Sequence, residues 1–232
     1  MADETRLRIL RTAGPIFAES GFEATTVREI CAAAGVNLAS VNYHFGSKET
    51  LYLESVQFAH REKLLRVPPP QWPAGASAEE KLRIFVRTIL NRCLGEGIVG
   101  WETRLLMREM LHPTHACRPL VEEFIRPQFD QLLDVLSEVL PESTEQSVRH
   151  RIAFSIVGQC LHYRFASEFV SLLIGEEFES GGFSIDALST HITRFSLGGV
   201  GAFQCEGRPR IHQDVTPGGR AEQHRVATSS TT

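Results

Sequence analysis

The sequence lacks the features that mark exported, membrane-spanning or disulfide-stabilised proteins. Its apolar runs fall short of the roughly 18 residues that a membrane span needs. The N-terminus opens with acidic residues where a signal peptide would carry an apolar stretch. The five cysteines are odd in number and form no C-x-x-C pair. These absences predict a reduced, cytoplasmic protein that has no membrane partner.

Sequence signatures of catalysis and of metal binding are also missing. There is no glycine-rich phosphate loop, no G-x-S-x-G elbow and no H-E-x-x-H pair. His112, His115 and Cys117 lie close together, but they offer only three ligands on a loop that Pro113 interrupts. We interpret them as ordinary loop residues. The sequence therefore predicts a protein that is not an enzyme and that uses no cofactor and no metal.

An excess of positive charge is absent as well. The chain has 28 acidic and 24 basic residues, a formal net charge of −4, which by itself argues weakly against a nucleic-acid partner. The two signs are unevenly distributed, however. Residues 1–66 hold eight of each, whereas residues 67–204 hold 17 acidic and 12 basic residues. The acidity thus belongs to the C-terminal part of the chain.

What the sequence does contain is helical periodicity. Apolar residues recur at helical spacing from Leu120 to Leu140, and another helix is predicted around Arg151–Phe169. No alternating run typical of a strand is present, so the predicted fold is all-α. The proline-rich segment after Arg66 cannot continue a helix. The predicted organisation is a head at 1–66, a linker at 67–77, a helical domain at 78–197 and a disordered tail at 198–232.

The head reads as short helices separated by glycines. A first helix is predicted at 6–20, closed by Gly21. Thr26 followed by Glu29 forms a capping-box pattern that opens a helix at 27–34. Asn37 can cap a third helix at 38–45, and a fourth is predicted at 48–66 after Gly46-Ser47. Two short helices joined by a tight turn are typical of a helix-turn-helix.

The third helix carries a face that is small, polar and aromatic, without any acidic residue. Small residues allow close approach to base edges, and Asn42 can pair with adenine. Lys48 lies in the first turn of the fourth helix, where charge and helix dipole together favour a phosphate. An ordinary polar helix face in a small bundle is the alternative interpretation. The residues predicted to contact DNA are Thr26, Arg28, Asn37, Ala39, Ser40, Asn42, Tyr43, His44 and Lys48.

The blocks Thr25–Ile30, Tyr43–Phe45 and Ser47–Leu51 occur together at one spacing. In this they resemble the DNA-binding signature of the tetracycline-repressor (TetR) family. The segments Arg108–Thr114, Phe124–Pro127 and Gly158–Arg164 are similar to the C-terminal domain of its CecR-like subgroup. The resemblance implies an all-α homodimer in which the third helices enter successive major grooves of a palindromic operator. It also implies a C-terminal domain that binds a small-molecule effector and thereby releases the DNA.

Two further sets of residues follow from this resemblance together with the apolar pattern. In each case simple core packing is the alternative. The predicted effector pocket comprises Trp101, Arg104, Met107, Arg108, Phe124 and Phe129. The predicted dimer interface, formed by the helices near 151–169 and 185–197, comprises Ala153, Ile156, Gly158, Ala166, Phe169, Ile192 and Phe195. An activator, or a DNA-binding protein that acts through a protein partner without effector gating, is the alternative function.

Overall fold

A computed structural model describes residues 2–95, 100–179 and 181–206, and within these ranges it contains helices and no strand. The all-α prediction is confirmed. None of the helices in these ranges is long and apolar enough to cross a membrane. The helices are α1 (Ala2–Ala24), α2 (Val27–Ala34), α3 (Leu38–Phe45), α4 (Lys48–Arg66), α5 (Ala78–Leu94), α6 (Trp101–Leu111), α7 (Cys117–Leu120), a π-helical turn (Val121–Ile125), α8 (Arg126–Ser137), α9 (Gln146–Phe165), α10 (Ser167–Ile174), α11 (Glu176–Glu179) and α12 (Ile185–Glu206).

Side-chain caps set the ends of the helices in the head. The side chain of Thr26 accepts the Glu29 N–H at 3.2 Å, and the Asn37 side chain accepts the Ser40 N–H at 2.8 Å. Ser47 does the same for α4. Each cap satisfies a backbone donor that the first helical turn leaves free. The predicted bounds of α2, α3 and α4 are confirmed.

Two predicted helix boundaries in the head and in the middle of the C-terminal part are wrong. The first helix begins at Ala2 instead of residue 6, and Gly21 breaks its helical geometry with φ 80° and ψ 176°, at the residue predicted to close it. The helix predicted at 151–169 is two helices, because Ala166 leaves the α-helical region at φ −108° and ψ 18°. Phe169 therefore lies on α10 and not on α9.

The tail prediction is corrected over its first residues. Helix α12 continues through Gly198 and Gly199 to Glu206. Glycine costs about 1 kcal/mol relative to alanine inside a helix, but packing routinely overrides such propensities. Here Val200 is only 3% exposed and packs in the core, which explains why the helix does not stop at the glycines. Residues 207–232 of the predicted tail lie outside the described residues.

Two apolar cores organise the molecule. The first joins α1–α4 and includes Phe17, Ile30 and Leu51, but it also takes in Leu105 of α6 and Leu120 of α7. The second is formed by α5, α8, α9 and α12. In the structure the boundary of the predicted head falls within α4, so from here on the head is α1–α3 with the first half of α4, and the body is the remainder of the described residues. Helices α6 and α7 pack on the head although they follow the proline-rich segment in the sequence.

Candidate nucleic-acid interface

Helix α3 has one buried side and one exposed side. Val41 and Phe45 are buried and hold the helix on the first core. The opposite face exposes Ala39, Asn42 and Tyr43, the last with 81% of its surface accessible. Because the buried residues are spaced four apart, the intervening polar face points away from the core. The residues predicted to read bases thus lie on one exposed surface of a capped helix.

At the start of α3, two of the predicted DNA-contact residues, Asn37 and Ser40, hydrogen-bond to each other. The side-chain oxygen Oδ1 of Asn37 accepts the Ser40 N–H and also the Ser40 hydroxyl, at 2.8 and 2.9 Å. Both side chains thereby stabilise the N-terminus of the helix. Asn37 keeps its amide N–H groups for an outside acceptor. These two residues have a structural role in addition to the predicted DNA contact.

Lys48 is held in place by the end of α1. Its ammonium donates to the Glu23 carbonyl at 3.3 Å and lies 4.5 Å from the centre of the Phe22 ring. A lysine ammonium has three donors, so two remain for another acceptor. Lys48 also begins α4, whose first N–H groups favour an anion. Thr26 and Arg28, at the start of α2, are exposed.

Tyr43 and His44 lie side by side near the C-terminal end of α3. Their rings meet edge to face with centroids 5.1 Å apart. The phenol and the imidazole carry hydrogen-bonding groups at the tips of apolar rings, which suits contacts to phosphate oxygens at a groove edge. The phenol is the more accessible of the two side chains.

The head is fastened to α6 by a buried hydrogen-bond network that the sequence did not reveal. Tyr52 packs edge to face on Phe17, and its hydroxyl donates to Glu109 Oε2 at 2.7 Å. Glu109 Oε1 accepts the Thr114 N–H at 2.7 Å. Burial and the Glu109 carboxylate raise the pKa of Tyr52 well above its usual value. We call Tyr52, Glu109 and Thr114 the junction network.

A second connection runs from α6 to the end of α1. Arg108 donates to the carbonyls of Glu19 and Ser20 at 3.3 and 3.2 Å, beside the turn at Gly21. A cation there satisfies carbonyls that the last helical turn leaves free. His115 completes the contact through a 2.9 Å hydrogen bond with the Glu49 carbonyl. Arg108 and His115 therefore both connect the body to the head.

The structure does not gather the predicted effector residues around one space. Trp101 stacks on Phe58 and occupies room that Gly14 leaves beside α1, whereas Phe129 packs on Phe154 of α9. Arg104 is exposed. Arg108 is also placed elsewhere, since it binds the end of α1 as described above. Met107 contacts the half-buried Arg164 of α9, and the Phe124 ring lies beside the buried His60 of α4.

The predicted dimer residues also separate into two groups. Ala153, Ile156 and Ile192 are buried in the second core, so they cannot supply surface to an interface, and the prediction is corrected for them. Phe169 and Phe195 are 67% and 65% exposed. Gly158 is exposed and Ala166 is half-buried. Further exposed apolar side chains of the same helices, which the sequence analysis did not single out, are Phe154, Phe165, Leu172 and Leu173.

Two family models match the chain. The model of the C-terminal domain of the HTH-type transcriptional dual regulator CecR matches residues 78–200, which is more than half of the chain. The model of the bacterial regulatory proteins of the tetR family matches residues 9–55, which include α2 and α3.

The chain is also similar to individual proteins, in sequence or in fold. The chain is 27% identical to the transcriptional dual regulator CecR of Shigella flexneri, over 75% of this chain and 81% of that protein. It is 48% identical to the transcriptional repressor KstR2 of Rhodococcus jostii over 46 residues, which make up 20% of this chain and 22% of that protein. Among solved structures, the hemolysin II regulator HlyIIR has a TM-score of 0.55 at 19% identity, covering 83% of this chain and 99% of its own.

Proposed function

The chain belongs to the TetR family of bacterial transcriptional regulators and carries a CecR-type C-terminal domain, and we propose that it is a homodimeric repressor released from a palindromic operator by a small-molecule effector. In this proposal the protein is cytoplasmic and has no catalytic activity of its own. The observation that carries it is the exposed, acid-free face of α3, held between two capped ends.

The proposed reading of bases rests on α3. Ala39 and Asn42 are exposed on the same side of the helix, and both are short enough to let the backbone approach a major groove. The Asn42 amide has the donor and acceptor that match the edge of adenine. Asn37, Ser40, Tyr43 and His44 border this surface and are proposed to contact phosphates or neighbouring bases.

The proposed phosphate contacts come from the helix starts. Lys48 is oriented by the Glu23 carbonyl and stands beside the N-terminus of α4, and Thr26 with Arg28 occupies the start of α2. Such contacts fix the position of a protein on DNA without reading its sequence. Because residues 1–66 are neutral overall, we expect modest affinity for random DNA and a strong dependence on base-specific contacts.

A second copy of the chain is the proposed occupant of the apolar surface on α9, α10 and α12. Phe154, Phe169, Leu172 and Phe195 are each more than half exposed. Apolar side chains in this number on neighbouring helices are typical of an interface, and pairing through one shared patch gives a two-fold dimer. Two heads then address half-sites about 34–36 Å apart or a multiple of that distance.

Effector gating requires a connection between body and head. Helix α4 runs through both, and the junction network with Arg108 adds a second route through α6. A ligand changes the DNA affinity only if it binds one arrangement of the two heads better, typically by about 1–3 kcal/mol. The CecR relative is called a dual regulator. A transcription assay on the bound promoter therefore decides whether this chain represses or activates.

The proposal is tested by selecting genomic fragments that the purified protein binds and by footprinting the bound site. On that site Asn42→Ala should lose about 1–3 kcal/mol of binding free energy, and much less on random DNA. Lys48→Ala should weaken binding to the selected site and to random DNA equally. It should also lower the slope of log affinity against log salt concentration by about 1. Lys81→Ala, on α5 in the body, is the matched control. Equal losses on both DNAs for Asn42→Ala would refute its base contact.

A further inference from the structure

Positive side chains lie together inside the body. His60 and Lys63 of α4 and Arg92 of α5 are only 7%, 9% and 7% exposed. Arg164 of α9, which is half-buried, is close enough to act electrostatically on Lys63. We call these four residues the buried cation cluster. Basic residues are rarely buried to this extent unless they are paired with an anion.

Among the described residues, the three permanent cations donate hydrogen bonds to neutral acceptors. Lys63 Nζ donates to the Thr103 hydroxyl at 2.9 Å, and Arg92 Nε donates to the Val67 carbonyl at 2.9 Å. Arg92 also donates through Nη1 to the side-chain oxygen of Gln128. The guanidinium of Arg164 contacts the sulfur of Met107 at 3.4 Å. Neutral acceptors orient the cations but do not neutralise them.

Glu102 is the buried carboxylate near the cluster, and it is already engaged. It acts on Lys63 electrostatically, but its ion pair is with Arg66, at 2.6 Å. Burial lowers the pKa of Lys63 and lowers that of Arg92 to about 10. The pKa of His60 falls to about 4, first through burial and then through the charges of Arg92 and Lys63. Within the described parts of the chain, the cluster thus carries more positive charge than Glu102 offsets.

Two polar atoms of the cluster lack a hydrogen bond within the described parts of the chain. They are Arg92 Nη2 and His60 Nε2, both in side chains that are more than nine-tenths buried. The great majority of buried polar groups have a hydrogen-bond partner, so buried atoms without one indicate a missing partner such as a ligand or an ion. Apolar side chains also lie near these residues. The Phe124 ring lies 4.7 Å from the His60 ring, and Cys160 is fully buried next to Cys93.

We propose that the buried cation cluster binds the carboxylate of a small, otherwise apolar molecule, and that this molecule is the effector of the regulator proposed above. A carboxylate offers about four acceptor sites, which match the free donors of an arginine, a lysine and a histidine. The apolar neighbours Phe124 and Met107 favour an apolar body for the ligand. Since His60 and Lys63 belong to α4, the bound anion acts on the helix that continues into the head.

The test uses the full-length protein and measures its melting temperature with matched pairs of probes. The probes are hexanoate, benzoate and salicylate, each compared with its primary amide, together with inorganic phosphate. A ligand that binds only the folded state raises the melting temperature. We expect at least one carboxylate to raise it clearly more than its amide does. No carboxylate exceeding its amide, or phosphate alone raising it, overturns the proposal.

Variants then locate the binding site. Lys63→Met keeps the length of the side chain and removes its charge. It should weaken carboxylate binding at least tenfold and raise the melting temperature of the ligand-free protein, because a buried charge is removed. Arg164→Gln, at a half-buried site, serves if Lys63→Met does not fold. Arg87→Gln, which replaces an exposed arginine of α5, should leave binding unchanged. Carboxylate shifts that persist in both cluster variants contradict the assignment.

The inference rests on the proposed regulatory function, so DNA binding is measured separately. If the protein binds its selected DNA but no carboxylate stabilises it, the effector class is wrong and the regulator proposal stands. If carboxylates bind at the cluster but no specific DNA is found, the carboxylate site stands and the regulator proposal is wrong. Release of the DNA by the same carboxylate, lost in Lys63→Met, supports both.

Discussion

The junction network and the buried cation cluster are both polar and both buried, yet they are built in opposite ways. In the junction network the Glu109 carboxylate accepts from the Tyr52 hydroxyl and from the Thr114 N–H. In the cluster, several positive charges are buried close to one another. Two polar atoms, His60 Nε2 and Arg92 Nη2, have no hydrogen-bond partner among the described residues. A satisfied network holds one geometry, whereas an unsatisfied one is suited to a partner that supplies the missing charge. The junction network thus fixes the head to α6, whereas the cation cluster leaves the body able to bind an anion.

The largest effect is expected from breaking the junction network with Glu109→Leu. The substitution leaves the buried Tyr52 hydroxyl and the part-buried Thr114 N–H without an acceptor, and a buried group left in this way costs about 1–3 kcal/mol. We expect the free energy of unfolding to fall by about 4 kcal/mol in urea titrations. Glu122→Leu, at an exposed acidic residue beside α7, should stay within about 0.5 kcal/mol of the wild type. A loss below about 1 kcal/mol for Glu109→Leu would show that the network does not hold the head.

The cation cluster is tested through the pH dependence of stability. The pKa of His60 is about 4 in the folded protein and about 6.5 when unfolded. As the pH falls from 6.5 to 4, the unfolded chain therefore binds the proton first and stability declines. At one pKa unit per 1.36 kcal/mol, this group accounts for a loss of roughly 3 kcal/mol.

In His60→Phe that component disappears, since phenylalanine does not titrate. Urea unfolding measured at several pH values between 7 and 4 should give a flatter curve for the variant than for the wild type. His162→Gln, at an exposed position of α9, is the matched control and should keep the wild-type slope. Parallel curves for His60→Phe and the wild type would contradict the environment described for the cluster.

The smallest effect is expected at the contact between α6 and α1. Arg108→Gln removes a charged donor from the Glu19 and Ser20 carbonyls, which are partly accessible to water. We expect a loss of about 1 kcal/mol in the free energy of unfolding. Arg104→Gln, one turn earlier on α6 and exposed, should show less than about 0.5 kcal/mol. Equal results for the two variants would mean that Arg108 adds nothing to the connection.

The parts of the fold that could be predicted are those determined locally. Thr26, Asn37 and Ser47 each cap a helix that begins at the next residue, so the starts of α2, α3 and α4 follow from four-residue patterns. The exposed face of α3 follows from the same short range, because Val41 and Phe45 define its buried side. The prediction that these exposed residues contact DNA is not tested by the fold.

The parts that could not be predicted depend on residues distant in sequence. Tyr52 and Glu109 are 57 positions apart, and nothing near either one indicates the other. Lys63 and Arg92 look like ordinary charged residues of two amphipathic helices, and only the tertiary packing of α4 and α5 against other helices buries them. The glycines of α12 signal a helix end, but the burial of Val200 in the second core outweighs them.

The packing of α6 on the head has a consequence for the construction of hybrid regulators. The proline-rich segment before α5 looks like the natural place to exchange one DNA-reading module for another. A cut there would separate Tyr52 from Glu109 and the end of α1 from Arg108. A foreign module grafted at that point would contact α6 with side chains other than those that form these hydrogen bonds. A working chimera would have to carry residues 101–120 along with its new recognition helix.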